Sequence, residues 1–240
     1  MNKRALLIEN NQTKLLNLIV QNQFFDSGGE VFTTIECSDF NLFGRFQFGE
    51  DISPVLRQRQ DLGFNFKRVW TCYDIPLIGT LLNPDYSIIP DFVKFNAEYG
   101  SYIEFTAYTG QNDPNHWFKL GDAAKKCEVK PILDFVNEYD VNCNKPDSSG
   151  RLLYPKRFSP ISGILCSHGS NGAEIWPVEP YWDYVTFHTN GAYEEQRKVG
   201  HNAMEIWDGP SLTDEVSRCP EVGMWVGASV NRTKQLAFDS

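Results

Sequence analysis

The residue of this sequence best placed for acid/base chemistry is a glutamate that directly follows an apolar, strand-like run. Glu138 and the preceding Asn137 come after residues 131–136, which are apolar apart from one aspartate. A carboxyl group among aromatic neighbours such as Tyr139 is partly desolvated, and desolvation makes it hold its proton more tightly. Glu138 is therefore predicted to be a general acid/base, with a purely structural ion pair to Arg68 as the alternative.

Polar or aromatic side chains also stand at the ends of the other strand-like runs. The positions singled out are Arg68, Trp70, Tyr108, His168 and His188. In a parallel barrel the carboxyl ends of all strands point to one face, so these side chains are expected to meet there and to contact a ligand. For His168, which lies in a glycine-rich stretch, the alternative is a ring satisfied by a loop carbonyl.

The runs that would position these side chains alternate with helical stretches from about residue 31 onward. The predicted strands are residues 31–37, 66–72, 102–107, 131–136, 161–166, 184–188 and 223–230. The predicted helices are residues 53–62, 90–99 and 191–207, and a glycine, Gly63 or Gly100, follows each of the first two. Strands that are apolar nearly throughout and are separated by helices predict an α/β fold with a parallel sheet.

This order of elements predicts a (β/α)8 TIM-barrel-like domain over residues 31–240. Seven strand runs are found where eight close a barrel, so the barrel is expected to be incomplete or irregular at its C-terminal end. Residues 1–30 are expected to form an N-terminal helical extension, because apolar residues recur among polar ones over residues 13–25. Such a helix could cover one end of the barrel.

Two motifs at the strand ends resemble those of the clan A, cellulase-like glycoside hydrolases. The stretch LGFNFKRVW (residues 62–70) is similar to the second-strand signature of these families, and LDFVNE (residues 133–138) is similar to their fourth-strand Asn-Glu motif. The resemblance implies that Glu138 is the general acid/base, that Asn137 binds the 2-hydroxyl of a sugar and that Arg68 helps to hold the catalytic carboxylates. His188 resembles the histidine that ends the sixth strand in these families.

Cleavage of a glycosidic bond also needs a second carboxylate on the opposite face of the sugar ring. In the resembling families a glutamate at the end of the seventh strand acts as the nucleophile, and residues 223–230 contain none. Glu221 qualifies only if residues 218–222 are themselves the strand. Two hypotheses follow: a glycoside hydrolase acting on a β-linked poly- or oligosaccharide with Glu138 and Glu221 as catalytic residues, or a catalytically inactive carbohydrate-binding or structural relative.

Aromatic residues make up 14% of the sequence, and their rings can stack on the apolar faces of sugars. Under the resemblance, the candidate substrate-binding residues are Arg68, Trp70, Tyr108, Asn137, His168, Trp182 and His188, with Trp117 as a further sugar platform. For the aromatic residues, filling of a large core is the alternative.

The bulk properties argue against several classes of partner. Lys and Arg number 22 against 31 Asp and Glu, and the net charge of -9 would repel a nucleic acid. The first apolar run ends after four residues, too short for a signal peptide or a membrane span. A soluble chain, cytoplasmic or released without a signal, with a carbohydrate substrate and no membrane partner is therefore expected.

The six cysteines form no C-x-x-C pair and are expected to be buried free thiols. The histidines have no metal-ligand spacing, so no cofactor or metal is expected. The sequence does not predict the oligomeric state.

Overall fold

The computed structural model describes residues 15–21, 24–75, 79–108, 113, 115–137, 160–167, 169–171, 183–188, 211–219 and 224–230. Among these residues the strands are, in chain order, β1 (Leu18–Gln21), β2 (Phe24–Ser27), β3 (Glu30–Val31), β4 (Ile35–Ser38), β5 (Phe66–Trp70), β6 (Tyr73–Ile75), β7 (Gly79–Leu81), β8 (Tyr102–Tyr108), β9 (Ile132–Val136), β10 (Cys166–Ser167), β11 (Gly169–Asn171), β12 (Val185–His188), β13 (Ser211–Cys219) and β14 (Met224–Val230). The helices are α1 (Leu42–Gln47), α2 (Ser53–Asp61), α3 (Ile89–Glu98) and α4 (His116–Lys126), and a 3-10 turn, Tyr86–Ile88, precedes α3. None of these helices has both the length and the apolar character needed to cross a membrane.

The main sheet has the strand order β10-β9-β8-β5-β4-β14-β13-β12-β11. Strands β4, β5, β8, β9 and β10 are parallel neighbours, and so are β11, β12 and β13. The described hydrogen bonds leave the sheet open between β10 and β11, yet only residue 168 separates these two strands in the chain. Counted as one, they make this an eight-stranded, largely parallel sheet, which agrees with the predicted (β/α)8 TIM-barrel-like fold.

The C-terminal end of the sheet departs from a regular barrel, as predicted, but not in the predicted way. Strand β14 is antiparallel to both of its neighbours, β13 and β4. Four residues connect β13 to β14, too few for the crossover that parallel strands require, so the two form a hairpin. The expectation of a seventh parallel strand at residues 223–230 is therefore wrong, since β13 is the strand that continues the parallel order.

The predicted helix over residues 13–25 is also wrong, because residues 18–21, 24–27 and 30–31 form the three strands of an antiparallel sheet, β1-β2-β3. Burial alternates along β1, where Leu18 is buried and Ile19 is half exposed, which is the pattern of a strand. Leu18 and Phe25 pack against Phe66 and Tyr102, the first residues of β5 and β8. The small sheet thus covers the end of the barrel at which the parallel strands begin.

The helices cover the outside of the parallel strands. Helices α2 and α3 confirm two of the three predicted helices, with positive φ at Gly63 and Gly100 just beyond their ends. The third, residues 191–207, lies outside the described residues, and α1 and α4 were not predicted. Aromatic edge contacts tie the layers together, and the ring centroids of Trp117 on α4 and Phe135 on β9 are 5.2 Å apart. The described cysteine side chains are buried free thiols, as predicted: Cys37, Cys72, Cys127 and Cys166.

Candidate active site

Arg68 enters the barrel interior from the middle of β5. Successive residues of a strand point to opposite faces of the sheet, so Arg68 and its neighbour Lys67 lie on opposite sides. Lys67 Nζ donates a hydrogen bond to Ser101 Oγ, whereas Arg68 contacts Asp134 of β9. Strand β8 lies between β5 and β9, and the Arg68–Asp134 contact therefore spans β8 on the concave face of the curved sheet.

The guanidinium of Arg68 forms a fully buried ion pair. Arg68 Nη2 lies 3.0 Å from Asp134 Oδ2, and both side chains are 0% exposed. The guanidinium carbon lies 4.4 Å from the centroid of the Trp70 ring, within the range of a cation–π contact. Loss of either charge would destabilise the fold, because water cannot reach the other charge to take the place of its partner.

The same nitrogen also holds the residue that precedes Glu138. Arg68 Nη2 donates to Asn137 Oδ1 at 3.0 Å. Asn137 directly follows the last residue of β9 and is partly exposed, so it lies where the buried interior meets the carboxyl ends of the strands. The two motifs of the sequence, 69 positions apart at Arg68 and Asn137, are thus in direct contact.

The barrel interior next to this ion pair is lined by polar side chains. Tyr184 OH donates to Glu104 Oε1 at 2.7 Å, and Ser167 Oγ lies 3.1 Å from Thr186 Oγ1. Complete burial, together with the Glu104 carboxylate, raises the pKa of Tyr184 well above its ordinary value, so the phenol stays protonated. The Tyr184 ring packs edge-on against Phe25 of the N-terminal sheet, with centroids 5.5 Å apart. Polar contacts thus extend through the barrel interior, from the end covered by the N-terminal sheet to the end at which Asn137 lies.

A buried histidine ties three segments together near the end of β5. His116 Nε2 lies 3.0 Å from Thr71 Oγ1, and His116 Nδ1 lies 2.6 Å from Tyr86 OH. These contacts join the first turn of α4 to the residue after β5 and to the 3-10 turn. Burial lowers the pKa of His116 to about 4, so the ring is neutral near pH 7. We therefore assign His116 a structural role in this packing.

Two of the predicted sugar platforms are core residues, and that prediction is wrong for them. Trp70 is 0% exposed, and its ring stacks on Phe40 at a centroid distance of 4.1 Å. Trp117 is likewise 0% exposed and packs under α4. A ring without exposed surface cannot stack on a sugar, so Trp70 and Trp117 fill the hydrophobic core instead.

Arg68 is also 0% exposed, so the prediction that it contacts the substrate directly is wrong. The other predicted site residues lie at or beyond the edges of the described structure. Tyr108 ends β8 and His188 ends β12, but their side chains are outside the described residues. Glu138, His168, Trp182 and Glu221 lie outside the described residues altogether. Their roles stay predictions.

The structure adds two residues that the motif analysis did not single out. Asp134 pairs with Arg68, and Thr106 Oγ1 donates to the same oxygen, Asp134 Oδ2, at 3.1 Å. A signal for Asp134 was present in the sequence, since it is a charged residue inside the otherwise apolar stretch ILDFV. No comparable signal marked Thr106, because threonine is an ordinary strand residue.

The fold is similar to that of solved glycoside hydrolases. A β-1,4-D-mannanase from Cryptopygus antarcticus superposes with a TM-score of 0.54 at 12% identity, covering 81% of this chain and 79% of the enzyme. For an endo-1,4-β-mannanase from Rhizomucor miehei the TM-score is 0.51 at 13% identity, with 81% and 80% covered. A glycoside hydrolase family 5 protein from Bacteroides vulgatus gives a TM-score of 0.51 at 14% identity, and the match spans 83% of this chain but about half, 52%, of that protein.

Sequence comparison adds nothing to this likeness. No family model matches the chain, and no curated protein matches it. At identities of 12–14% the solved structures show the fold alone. The chain has a TIM-barrel-like fold similar to that of these solved glycoside hydrolases, which is the fold that the motif resemblance implied.

Proposed function

We propose that this chain is a glycoside hydrolase that cleaves a β-linked poly- or oligosaccharide, with Glu138 as the general acid/base and Glu221 as the second carboxylate. The observation that carries the proposal is the contact between Arg68 and Asn137. These two residues belong to the two motifs that resemble clan A enzymes, and the Nη2–Oδ1 distance between them is 3.0 Å. Glu138 is the next residue after Asn137, so the candidate acid/base is adjacent to a side chain held by a buried cation.

The topology of the sheet supports Glu221 as the second carboxylate. Because β14 is antiparallel to both β13 and β4, β13 runs in the same direction as β4. The carboxyl end of β13, Cys219, therefore points to the same face of the barrel as the carboxyl end of β9. Glu221 follows Cys219 by two residues in the sequence, so the strand that leads to it is β13 (Ser211–Cys219) and not the strand over residues 218–222 that the sequence analysis had required.

In this proposal the two carboxyl groups act on opposite sides of the glycosidic bond. Glu138 donates its proton to the leaving oxygen while the Glu221 carboxylate attacks the anomeric carbon, giving a glycosyl ester. Glu138, now a carboxylate, then removes a proton from water, which displaces Glu221 and releases the sugar. Both glutamates thus return to their starting protonation states.

The remaining predicted residues would bind the substrate. A barrel places its binding loops at the carboxyl ends of its strands. Tyr108 ends β8, His188 ends β12 and His168 directly follows β10. Trp182 precedes β12 in the chain. Asn137 would contact the sugar's 2-hydroxyl, as the motif resemblance implies. Trp70 and Trp117 are not part of the proposed binding surface, because both are buried.

A substrate screen tests the proposal. We expect the wild type to hydrolyse at least one member of a panel of β-linked oligosaccharides and aryl β-glycosides, and Glu138→Gln to lower kcat by about 10²- to 10⁴-fold on natural leaving groups. The loss should be smaller with an activated aryl leaving group, because such a group needs little protonation. Glu50→Gln, at an exposed position, serves as the matched control and should retain activity.

Two results would contradict the proposal that the chain is a glycoside hydrolase with Glu138 as its acid/base. One is saturable oligosaccharide binding without turnover on any substrate, which would favour the inactive carbohydrate-binding relative. The other is equal activity of wild type and Glu138→Gln, which would remove Glu138 from the mechanism.

A further inference from the structure

We propose that Asp134 is a positioning residue of this site, which fixes Arg68 and, through Arg68, the amide of Asn137. The inference rests on the proposed function and extends it to a residue that touches no substrate, since Asp134 is 0% exposed. Neither the motif resemblance nor the fold comparison assigned a role to this aspartate.

The argument begins with the way one nitrogen is shared. Arg68 Nη2 carries two N–H bonds, and it lies 3.0 Å from Asp134 Oδ2 and 3.0 Å from Asn137 Oδ1. Each acceptor can therefore take one of the two protons. Because the guanidinium is rigid and planar, a movement of Arg68 relative to Asp134 also moves the donor that holds Asn137.

Neighbouring strands fix the position of the Asp134 carboxylate. Thr106 is paired with Asp134 in the β8–β9 register and with Trp70 in the β5–β8 register. Its hydroxyl donates to Asp134 Oδ2 at 3.1 Å, and Thr106 is itself 0% exposed. The carboxylate thus receives one hydrogen bond from β8 and one from β5, and the Trp70 ring limits the tilt of the guanidinium.

Both side chains of this ion pair are buried. A surface arginine can exchange its partner for water at little cost, whereas Arg68 and Asp134 are both removed from solvent. The carboxylate of Asp134, at 3.0 Å from Nη2, therefore helps to fix the position of the Arg68 charge. A neutral side chain at position 134 would weaken this hold without emptying the space.

The first test is kinetic and uses a substrate found in the screen. Asp134→Asn should lower kcat by about 10²-fold with a much smaller change in KM, because misplacement of a supporting group by about 1 Å costs rates of this order. Thr106→Val, which removes only the hydroxyl, should show a smaller loss in the same direction. Thr106→Ser keeps the hydroxyl and is the matched control, expected to stay close to wild type.

The pH profile separates positioning from simple loss of folded protein. Asp134→Asn removes a negative charge beside Arg68, so the positive charge acts more strongly on Glu138 and favours its ionised form. The alkaline limb of the kcat/KM profile should move to lower pH in Asp134→Asn and stay in place in Thr106→Val. A residue that only supports the fold would reduce the amount of active enzyme and leave both limbs where they are.

A second readout does not depend on catalysis. In ¹⁵N-labelled protein, the side-chain amide signals of Asn137 should shift in Asp134→Asn, and the Arg68 guanidinium protons should exchange faster with water. Glu50→Gln should change neither. If the Asp134→Asn protein does not fold, the comparison of Thr106→Val with Thr106→Ser decides by the same signals.

The failures of the two proposals are distinguishable. Unchanged Asn137 and Arg68 signals in folded Asp134→Asn would overturn the positioning role whether or not the protein is an enzyme. Absence of turnover by the wild type would overturn the proposed function, while the shift of the Asn137 amide would still establish that Asp134 positions it.

Discussion

Glu221→Ala is expected to lower kcat for an aryl β-glycoside by roughly 10⁴-fold or more, because removal of a nucleophile leaves the first chemical step without an attacking group. An activated aryl leaving group departs without proton donation, so the missing carboxylate is the principal defect. Added azide should then restore turnover by attacking the anomeric carbon from the side that Glu221 occupied. The product of that reaction is the α-glycosyl azide, which is identified by NMR.

The outcome of this experiment is specific to position 221. Glu50→Ala, an exposed glutamate, should keep wild-type activity and form no glycosyl azide. A Glu221→Ala protein that keeps more than about a tenth of the wild-type kcat would exclude Glu221 as the nucleophile, given the size of the loss that such a removal causes. Another carboxylate at the carboxyl ends of the strands would then have to take that role.

Arg68→Met is expected to destabilise the protein by about 3–5 kcal/mol, because it leaves Asp134 in the barrel interior without the Arg68 charge. Both side chains are 0% exposed, so water cannot replace the missing cation. The free energy of unfolding, measured by urea denaturation, gives the change directly. Arg45→Met is the control, since Arg45 pairs with Glu50 at the surface and its loss should leave the unfolding midpoint nearly unchanged.

A double variant separates the contribution of Arg68 to stability from its contribution to the site. Arg68→Met combined with Asp134→Leu replaces the ion pair by apolar side chains, and such replacements often recover the stability lost in the single variant. We expect both variants to lose activity, because Asn137 has lost its Nη2 donor, and the double variant to be more stable than Arg68→Met. A stable and active double variant would show that the ion pair is dispensable for the reaction.

Strands with continuous apolar runs were predictable from the sequence, and polar or short strands were not. β5, β8 and β9 are buried along their described lengths, so their composition matches the pattern expected of parallel strands. β13 has the sequence SLTDEVSRC and pairs in a hairpin with β14. It was not predicted, because its polar residues interrupt any apolar run. Over residues 13–25, leucine and isoleucine fit a helical repeat as well as a strand, and packing against Phe66 and Tyr102 decides in favour of strands.

The part of the site that the motifs contained was predicted, and the part that depends on register was not. Arg68 and Asn137 were singled out because each belongs to a motif that resembles one of the clan A enzymes. Asp134 and Thr106 matter because β8 aligns Thr106 with Asp134 next to β5, and pairing of this kind cannot be read from one strand. For Trp70 the sequence left sugar stacking and core filling open, because its burial depends on Phe40, which follows a different strand.

The central claim is that Glu138 and Glu221 face each other across the mouth of the barrel, and the distance between their carboxyl groups in a crystal structure with a bound oligosaccharide tests it most directly. We predict a separation of about 5–5.5 Å, as a retaining mechanism requires. A separation of roughly 6.5–9.5 Å would convert the proposal to an inverting mechanism. Carboxyl groups farther apart than this range, or a Glu138 side chain directed away from the sugar, would contradict the proposal that this chain is a glycoside hydrolase.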